Sequence, residues 1–156
     1  MAQAIWKPPI CNRTQADVNR VIYLNEKMQS DTATSDEKTE WATDLKGSFN
    51  LTDMSRIINN MTVLDSTLET HLTLPTMTML PNQTWWALLI SDVQALRDAY
   101  MTYSQTPATP TRPINTYTKV NIIEKILWDI YTILSSNFFH YSGDSFYSGE
   151  AVGLLL

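Results

Sequence analysis

The stretch Asn50-Leu-Thr-Asp-Met-Ser-Arg-Ile-Ile-Asn-Asn-Met-Thr-Val-Leu-Asp-Ser-Thr-Leu68 is the clearest helical pattern in the chain. Asn50 can cap a helix because its side-chain oxygen accepts a backbone hydrogen bond, and Asp53 completes a capping box. The apolar residues that follow recur at three- and four-residue spacing, as Met54, Ile57, Met61, Leu64 and Leu68. We predict a helix from Thr52 to about Thr70 whose narrow apolar face lies against another helix.

The same kind of helix start occurs earlier, in Thr14-Gln-Ala-Asp-Val-Asn-Arg-Val-Ile22. It predicts a capped helix from about Gln15 to Met28, in which Asp17 and Arg20 are spaced for a local ion pair. Two matching copies are too few for a helical repeat array, which usually needs about three units to bury its faces. We therefore interpret the likeness as repeated use of one helix-start design within a bundle.

Two shorter elements are predicted between the long helices. Ser35 to Trp41 is typical of a short capped helix that ends near residues 46–47, where Gly47 would supply a left-handed stop. Residues 71–81 alternate between apolar and polar side chains, which favours an extended segment or a single strand. Pro75 would confine such a strand to a sheet edge or a crossover.

Two long helices flank a segment rich in proline and threonine in the second half of the chain. The first should run from Gln83 to about Tyr103, and the second from about Tyr117 to Ser135, capped by Asn115 or Thr116. Residues 104–114 between them predict a stiff, polyproline-like linker. The second helix is apolar on more than one face, so we expect it at the centre of a core or between subunits.

Large apolar side chains are concentrated at both ends of the chain. The prolines of Trp6-Lys-Pro-Pro-Ile10 preclude a helix and favour an extended arm, which would dock on the body or on a neighbour. Residues 137–150 are typical of a hairpin with aromatic pairs around a turn, and three leucines end the sequence. Each leucine left in water would forgo about 1.5–3 kcal/mol of burial, so either the leucines fold back on the body or another chain covers them, and we slightly favour the second. The predicted partner-binding residues are Trp6, Ile10, Phe138, Phe139, Tyr141, Phe146, Tyr147, Leu154, Leu155 and Leu156.

Together these elements predict a mainly α protein. The expected fold is a small helical bundle of about four main helices with an extended N-terminal arm and a C-terminal tail like a β-hairpin. We expect an extended docking arm over residues 1–13, a helical body over 14–103 and the proline- and threonine-rich linker over 104–114. The apolar helix and the hairpin tail would occupy residues 115–156.

Charge and composition narrow the classes of partner. The chain of 156 residues has a net charge of −5, and only 17% of its residues are charged. Because no block of lysine or arginine is present, binding to nucleic acid or to an anionic membrane is not expected. The sequence has neither a signal peptide nor an apolar run of about 20 residues that would span a membrane, so we expect synthesis and folding in a cytoplasm. A weakly charged surface suits permanent contact with neighbouring subunits, although a neutral soluble domain would have the same composition.

Residue patterns typical of catalysis or of metal binding are missing. His71 and His140 have no second histidine or cysteine at ligand spacing, and the four glycines form no phosphate-binding loop. Cys11 lies on the proline-containing arm and is better explained as a buried or partly buried spectator thiol. Asp17 and Asp53 could be considered a catalytic pair, but their capping positions explain them more simply. We therefore expect no enzymatic activity, no cofactor and no metal.

Three stretches carry a likeness beyond caps and turns. They are Trp6-Lys-Pro-Pro-Ile-Cys-Asn-Arg-Thr-Gln-Ala-Asp-Val-Asn-Arg-Val21, Lys46-Gly-Ser-Phe-Asn-Leu-Thr-Asp-Met-Ser-Arg-Ile57 and Tyr141-Ser-Gly-Asp-Ser-Phe-Tyr-Ser-Gly-Glu150. Over residues 6–70 and 113–156 the chain resembles small virion-associated proteins of tailed phages and prophages of Gram-positive bacteria, in the tail-tip or baseplate region. The resemblance implies a structural protein of the virion tail, made in the bacterial host cytoplasm. Its implied partners are other virion structural proteins and copies of itself, and it implies no catalytic residues.

An alternative function is recognition of the host through a cell-wall carbohydrate. Exposed aromatic rings would then bind the sugar, and the candidates are Trp85, Trp86, Phe138, Phe139 and Tyr141. The helical spacing of the two tryptophans favours core packing over this role. A wall hydrolase is a third possibility, disfavoured by the missing acid, base and metal residues.

Overall fold

The described part of the chain, residues 4–78 and 81–143 of this computed structural model, folds into five helices. Beyond Ser136 only the backbone of the last helix is described. The helices are α1 (Gln15–Gln29), α2 (Ser35–Trp41), α3 (Leu51–Leu68), α4 (Gln83–Ala99) and α5 (Tyr117–Gly143). These ranges contain no strand, so the prediction of a mainly helical bundle is confirmed for them.

The core lies between α3, α4 and α5, each of which packs against the other two. Burying each of its large apolar side chains stabilises the fold by about 1.5–3 kcal/mol relative to exposure. α5 packs against both α3 and α4, so it lies in the core, one of the two positions expected for it. The buried set is Met54, Ile57, Met61 and Leu64 from α3, Trp85, Leu89, Val93 and Leu96 from α4, and Val120, Ile123, Ile126, Leu127 and Ile130 from α5.

The helix starts follow the capping pattern of the sequence. In α1, α2 and α3 the cap side chain accepts a hydrogen bond from the backbone N–H three residues later, and the acid at that later position accepts one from the backbone N–H of the cap residue. The predicted starts of α1 and α3 are therefore confirmed. The three pairs are Thr14 with Asp17, Thr34 with Glu37, and Asn50 with Asp53.

α1 and α2 form a smaller helical pair in which α1 contacts mainly α2. Leu24 is the one buried residue of α1, and an exposed bidentate ion pair joins Arg20 to Glu40 of α2 at 3.0 and 2.6 Å. The predicted pair between Asp17 and Arg20 is wrong. The carboxylate of Asp17 accepts from Thr14 and faces the ammonium of Lys46 at 3.5 Å, which leaves Arg20 to reach across to α2.

Gly47 has a role different from the predicted left-handed stop. α2 ends at Trp41, and Gly47 does not have a positive φ, so that prediction is wrong. A Cβ added to Gly47 would lie 2.1 Å from the backbone oxygen of Asp17 and 2.6 Å from the backbone nitrogen of Val18. The residue is glycine because the loop passes directly against the first turn of α1.

The strand predicted within residues 71–81 is absent from the described residues of that range. His71 and Leu74 have φ values of 55° and 29°, which interrupt an extended backbone. The carboxylate of Asp65 accepts hydrogen bonds from the hydroxyl of Thr70 at 2.7 Å and from the backbone of Leu72 at 3.0 Å. Side-chain acceptors on α3 thus take the place of a sheet partner, and the strand prediction is wrong for residues 71–78.

Residues 104–114 are held against both neighbouring helices. Arg97 on α4 donates to the carbonyl of Pro107 at 3.3 Å, and Thr106 donates to the buried Asp129 on α5 at 2.7 Å. Lys119 donates to the carbonyl of Thr111 at 2.7 Å. The segment contains neither helix nor strand, and the division of the chain at this point stays a prediction.

α5 is described to Gly143, beyond its predicted end at Ser135. It therefore includes the first residues of the hairpin predicted over 137–150. Residues 144–156 lie outside the described residues, so the hairpin tail stays a prediction.

Candidate functional site

Residues 4–13 form an arm without helix or strand, as predicted. Two asparagines hold its backbone, one from α3 and one from α5. Asn60 accepts from the N–H of Lys7 at 2.9 Å and donates to the carbonyl of Lys7 at 2.8 Å. Asn121 does the same for Arg13, at 3.3 and 2.9 Å. Each amide satisfies both backbone groups of one arm residue, as a neighbouring strand would.

Four charged side chains converge where the end of the arm meets α3 and α5. Arg13 Nη2 lies 2.7 Å from Asp53 Oδ1 and 3.0 Å from Glu124 Oε1. Arg56 bonds the same two carboxylates, reaching Glu124 at 2.9 and 2.8 Å. Arg13, Asp53 and Glu124 are each no more than 4% exposed. We call these residues the charge cluster; its two positive and two negative charges balance.

The charge cluster binds the backbone of the arm. Glu124 Oε2 accepts from the backbone N–H of Ile10 at 2.8 Å, and Arg13 donates to the carbonyl of Ile10. Burial on its own would lower the pKa of Arg56, but its hydrogen bonds to Glu124 and Asp53 raise it, so the guanidinium stays charged. Because every charge faces an opposite partner, the arrangement suits fixing the arm in one position.

A groove of about 710 Å³ lies beside the arm, along the outer side of α5. The ring of Trp6 stacks on Tyr131 with centroids 3.9 Å apart and planes 7° from parallel. Trp128 lies 6.2 Å from Trp6 and remains 39% exposed. We call this feature the aromatic groove; its walls are Trp6, Pro8, Pro9, Lys125, Trp128 and Tyr131.

Cys11 also lines the aromatic groove and is partly buried. Burial raises the pKa of its thiol to about 11, and the nearby carboxylate of Glu124 adds to the increase. A thiol with this pKa is almost entirely protonated near neutral pH, and only the thiolate is a good nucleophile. The predicted partly buried spectator thiol agrees with this environment.

The structure describes the side chains of two of the predicted partner-binding residues, Trp6 and Ile10. Trp6 packs on Tyr131 of its own chain, and Ile10 is partly buried with its backbone bound to Glu124. Their contact with another chain stays a prediction. The same holds for the rest, because the side chains of Phe138, Phe139 and Tyr141, and all of Phe146, Tyr147, Leu154, Leu155 and Leu156, lie outside what is described.

Trp85 is a core residue, as its helical spacing indicated. It is 8% exposed, and its indole N–H donates to the carbonyl of Thr76 at 2.8 Å. Its ring meets that of Trp86 edge-on, with centroids 4.9 Å apart. Trp86 is partly buried against Phe49, in a second cleft of about 600 Å³ near the N-terminal ends of α1 and α5. The ring of Trp85 is thus not available for stacking on a sugar.

The groups that hold the arm were not predicted from the sequence. Asn60 lies among the apolar residues of α3, and Asn121 and Glu124 lie among those of α5. A polar side chain within an apolar stripe is costly to bury without a partner, so its presence signals that a partner exists. That signal could have pointed to a docked segment, but not to which segment.

Groups of three or more histidine, cysteine, aspartate or glutamate side chains that could hold a metal ion do not occur among the described residues. Of the helices in that part of the chain, none combines the length and the apolar character that crossing a membrane requires. Comparisons with models of protein families, with curated proteins and with solved structures found no match to this chain.

Proposed function

We propose that this protein is a structural component of a phage virion, in the tail or baseplate region, that assembles with other virion chains and with copies of itself. It would be made in the bacterial host cytoplasm and act without enzymatic chemistry or a cofactor. The first support is the resemblance of residues 6–21, 46–57 and 141–150 to small tail-associated virion proteins. In this role the tail, and the exposed aromatic groove beside the docked arm, would contact other chains.

The observation that carries the proposal is how the protein uses its converging polar groups. The two carboxylates of the charge cluster and the two asparagines bind the chain's own arm, so a substrate would have to displace those contacts. The outward-facing side of this region is apolar instead: Trp128 is 39% and Ile5 is 79% exposed. Exposed apolar surface beside polar residues is typical of contact with a protein partner.

The surface composition gives independent support. Only 17% of the residues are charged, so long-range repulsion between copies is small. The pair formed by α1 and α2 also presents apolar groups to solvent, including Ile22 at 49% and Trp41 at 43% exposure. Surfaces of this kind suit a subunit that stays fixed among neighbours.

Incorporation into virions tests the proposal. Trp128→Glu places a charge in the aromatic groove at a side chain that is 39% exposed, so the fold should be retained, as circular dichroism would show. Tyr103→Glu is the matched control, because Tyr103 is an aromatic residue that is 37% exposed and lies outside the groove. Mass spectrometry of purified virions should find the control at the wild-type amount and the groove variant strongly depleted.

Two results would refute the proposal. One is the absence of the wild-type protein from purified virions. The other is normal incorporation of Trp128→Glu, which would show that the aromatic groove contacts no virion partner.

A second candidate function is binding of a cell-wall carbohydrate at the tail tip. The observation that favours it is the exposed ring of Trp128 beside Tyr131, with Asn12 and Lys125 on the same groove. An apolar aromatic surface with a few polar groups suits a sugar ring. Wild-type binding on an array of wall glycans, lost in Trp128→Ala, would support this function. Failure to bind any wall polymer would remove it.

A further inference from the structure

The aromatic groove is a concave apolar surface without a partner among the described residues. Its volume of about 710 Å³ lies within the range of roughly 300–1,000 Å³ that is usual for small-molecule sites, which is enough room for a few apolar side chains. The stacked pair of Trp6 and Tyr131 forms a rigid wall, and Pro8 and Pro9 line the arm side. A surface of this shape favours an apolar occupant.

Lys125 is the charged residue on the lining of the groove, and its exposed charge is positive. Lys125 pairs with Asp129, but the Lys125 side chain is 40% exposed whereas that of Asp129 is 3% exposed. Lys7 is exposed next to Trp6 and forms no ion pair with the described residues. An occupant with negative charges at its ends would therefore be favoured.

Residues 144–156 have this chemistry. The charged residues of the segment are Asp144 and Glu150, with no lysine or arginine. Its remaining residues include two aromatic rings, one valine and three leucines. An acidic, largely apolar segment matches an apolar groove with a cationic rim.

The segment is also long enough to reach the groove of its own chain. From Tyr131 to Gly143 the axis of α5 advances about 18 Å, at about 1.5 Å per residue. The residues after Gly143 can span up to about 43 Å when extended. The chain can therefore turn back after α5 and return to Tyr131 with more than half of its reach unused.

We propose that the aromatic groove is the docking site of residues 144–156 of the same chain, which cover the groove until a partner displaces them. Tethering favours this occupant, because a short flexible connection supplies an effective concentration of roughly millimolar. A segment that binds as a free peptide at about 0.1 mM would then occupy its own groove about nine-tenths of the time. The inference does not rest on the proposed virion role.

The chain's one cysteine, Cys11, lies in the groove and reports on its occupancy. The rate at which an uncharged maleimide modifies Cys11 would be measured in the full-length protein and in a full-length variant carrying Leu154→Ser, Leu155→Ser and Leu156→Ser. Modification should be about tenfold faster in the variant, which follows from nine-tenths occupancy. Leu51→Ser, at a leucine on α3 that is 44% exposed, should leave the rate unchanged.

A second variant keeps the apolar residues and changes only charge. Asp144→Lys combined with Glu150→Lys should also speed modification of Cys11, because both charges would then repel Lys7 and Lys125. A synthetic peptide of residues 144–156, added to the leucine variant, should slow modification again. Circular dichroism would confirm equal helical content in all proteins.

The outcomes separate the possibilities. Equal modification rates in the wild type and both variants would overturn the proposal, as would a peptide that gives no protection. Protection that disappears on dilution from about 100 to about 1 μM would mean that the segment comes from a second copy, and the same-chain assignment would be wrong. Loss of the virion role, shown by absence from virions, would leave protection of Cys11 unaffected.

Discussion

Replacing Arg13 with methionine should destabilise the protein by about 3–5 kcal/mol. Arg13 is 4% exposed, and its guanidinium lies within 3.0 Å of both Asp53 and Glu124. Methionine fills part of the same volume, but it leaves two buried carboxylates with a single guanidinium, that of Arg56. Removing one member of a buried ion group is costly because the remaining excess charge cannot be solvated.

Two features place the expected loss in the free energy of unfolding near the lower end of that range. Arg56 continues to bond both carboxylates, and its side chain is 12% exposed, which lets water screen part of the excess charge. Against this, the carbonyl of Ile10 loses a donor. A loss of about 3 kcal/mol corresponds to a fall in Tm of roughly 6–12 °C for a chain of this size.

Urea denaturation followed by circular dichroism measures the change, and hydrogen exchange at Ile10 reports whether the arm is released. Arg20→Met is the matched control, because Arg20 also pairs with a glutamate but at 44% side-chain exposure, and it should cause no measurable change. Combining Arg13→Met with Glu124→Gln removes the excess negative charge and should recover part of the loss. If Arg13→Met were no more destabilising than Arg20→Met, the structural role of the charge cluster would be refuted.

Two further substitutions test other features of the fold. Gly47→Ala should destabilise the protein by about 1–3 kcal/mol, because the new Cβ would lie 2.1 Å from the backbone oxygen of Asp17. Asp44→Ala, at an exposed residue of the same loop, is its control in thermal denaturation, and equal Tm values for the two variants would show that the loop moves aside freely. Asp92 is 7% exposed with Oδ2 unpartnered, and burial raises its pKa. The folded protein therefore binds the carboxyl proton of Asp92 more tightly than the unfolded chain does. The contribution of Asp92 to the free energy of unfolding is then largest below its unfolded pKa and is lost as pH rises through its folded pKa. Asp92→Asn should therefore raise the free energy of unfolding by about 1 kcal/mol at neutral pH, seen as a higher Tm, and should leave Tm unchanged near pH 3. Asp98→Asn, on the exposed side of α4, is the control and should leave Tm unchanged at both pH values. An equal gain in Tm for Asp92→Asn at both pH values would contradict the reasoning.

The helix starts could be predicted because capping is local. Thr14 with Asp17 and Asn50 with Asp53 are each complete within four residues, and the structure has both pairs. Helix ends depend more on distant packing. α4 ends at Ala99 instead of near Tyr103 because the chain there turns toward residues 104–114, which bind back to α4 and α5.

The site could not be predicted because its partners are far apart in sequence. Asp53 was correctly assigned as a capping residue, yet the same carboxylate also receives Arg13 from the arm. Nothing near Asp53 in the sequence indicates that second partner. The position of Glu124 within the apolar stripe of α5 was the one local sign that a cation would be buried beside it.

The alternation over residues 71–81 shows how a pattern can have a different cause. Leu72 and Leu74 do point apolar groups at the core, which produces the strand-like spacing. Their backbone is bound by α3 and α4 instead of by a second strand, with Asp65 accepting from Leu72. Met77, which belongs to the same pattern, is 48% exposed, so alternation in a short segment indicates neither a sheet nor the burial of every apolar residue.

Asn60 and Asn121, which we call the asparagine clamps, fix the number of arm residues that lie between their two points of contact. Asn60 binds the peptide groups of Lys7 and not its side chain, so the identity of residue 7 is free to vary. Asn121 binds the peptide groups of Arg13 and also accepts from its guanidinium at 3.3 Å, so both the spacing to position 13 and the residue there are fixed. A residue inserted between Lys7 and Arg13 would have to form a bulge at Pro8 and Pro9, or one of the two asparagine side chains would lose its hydrogen bonds to the arm. An extension placed ahead of Ile5 would disturb neither clamp, which makes that end suitable for a fused tag or label.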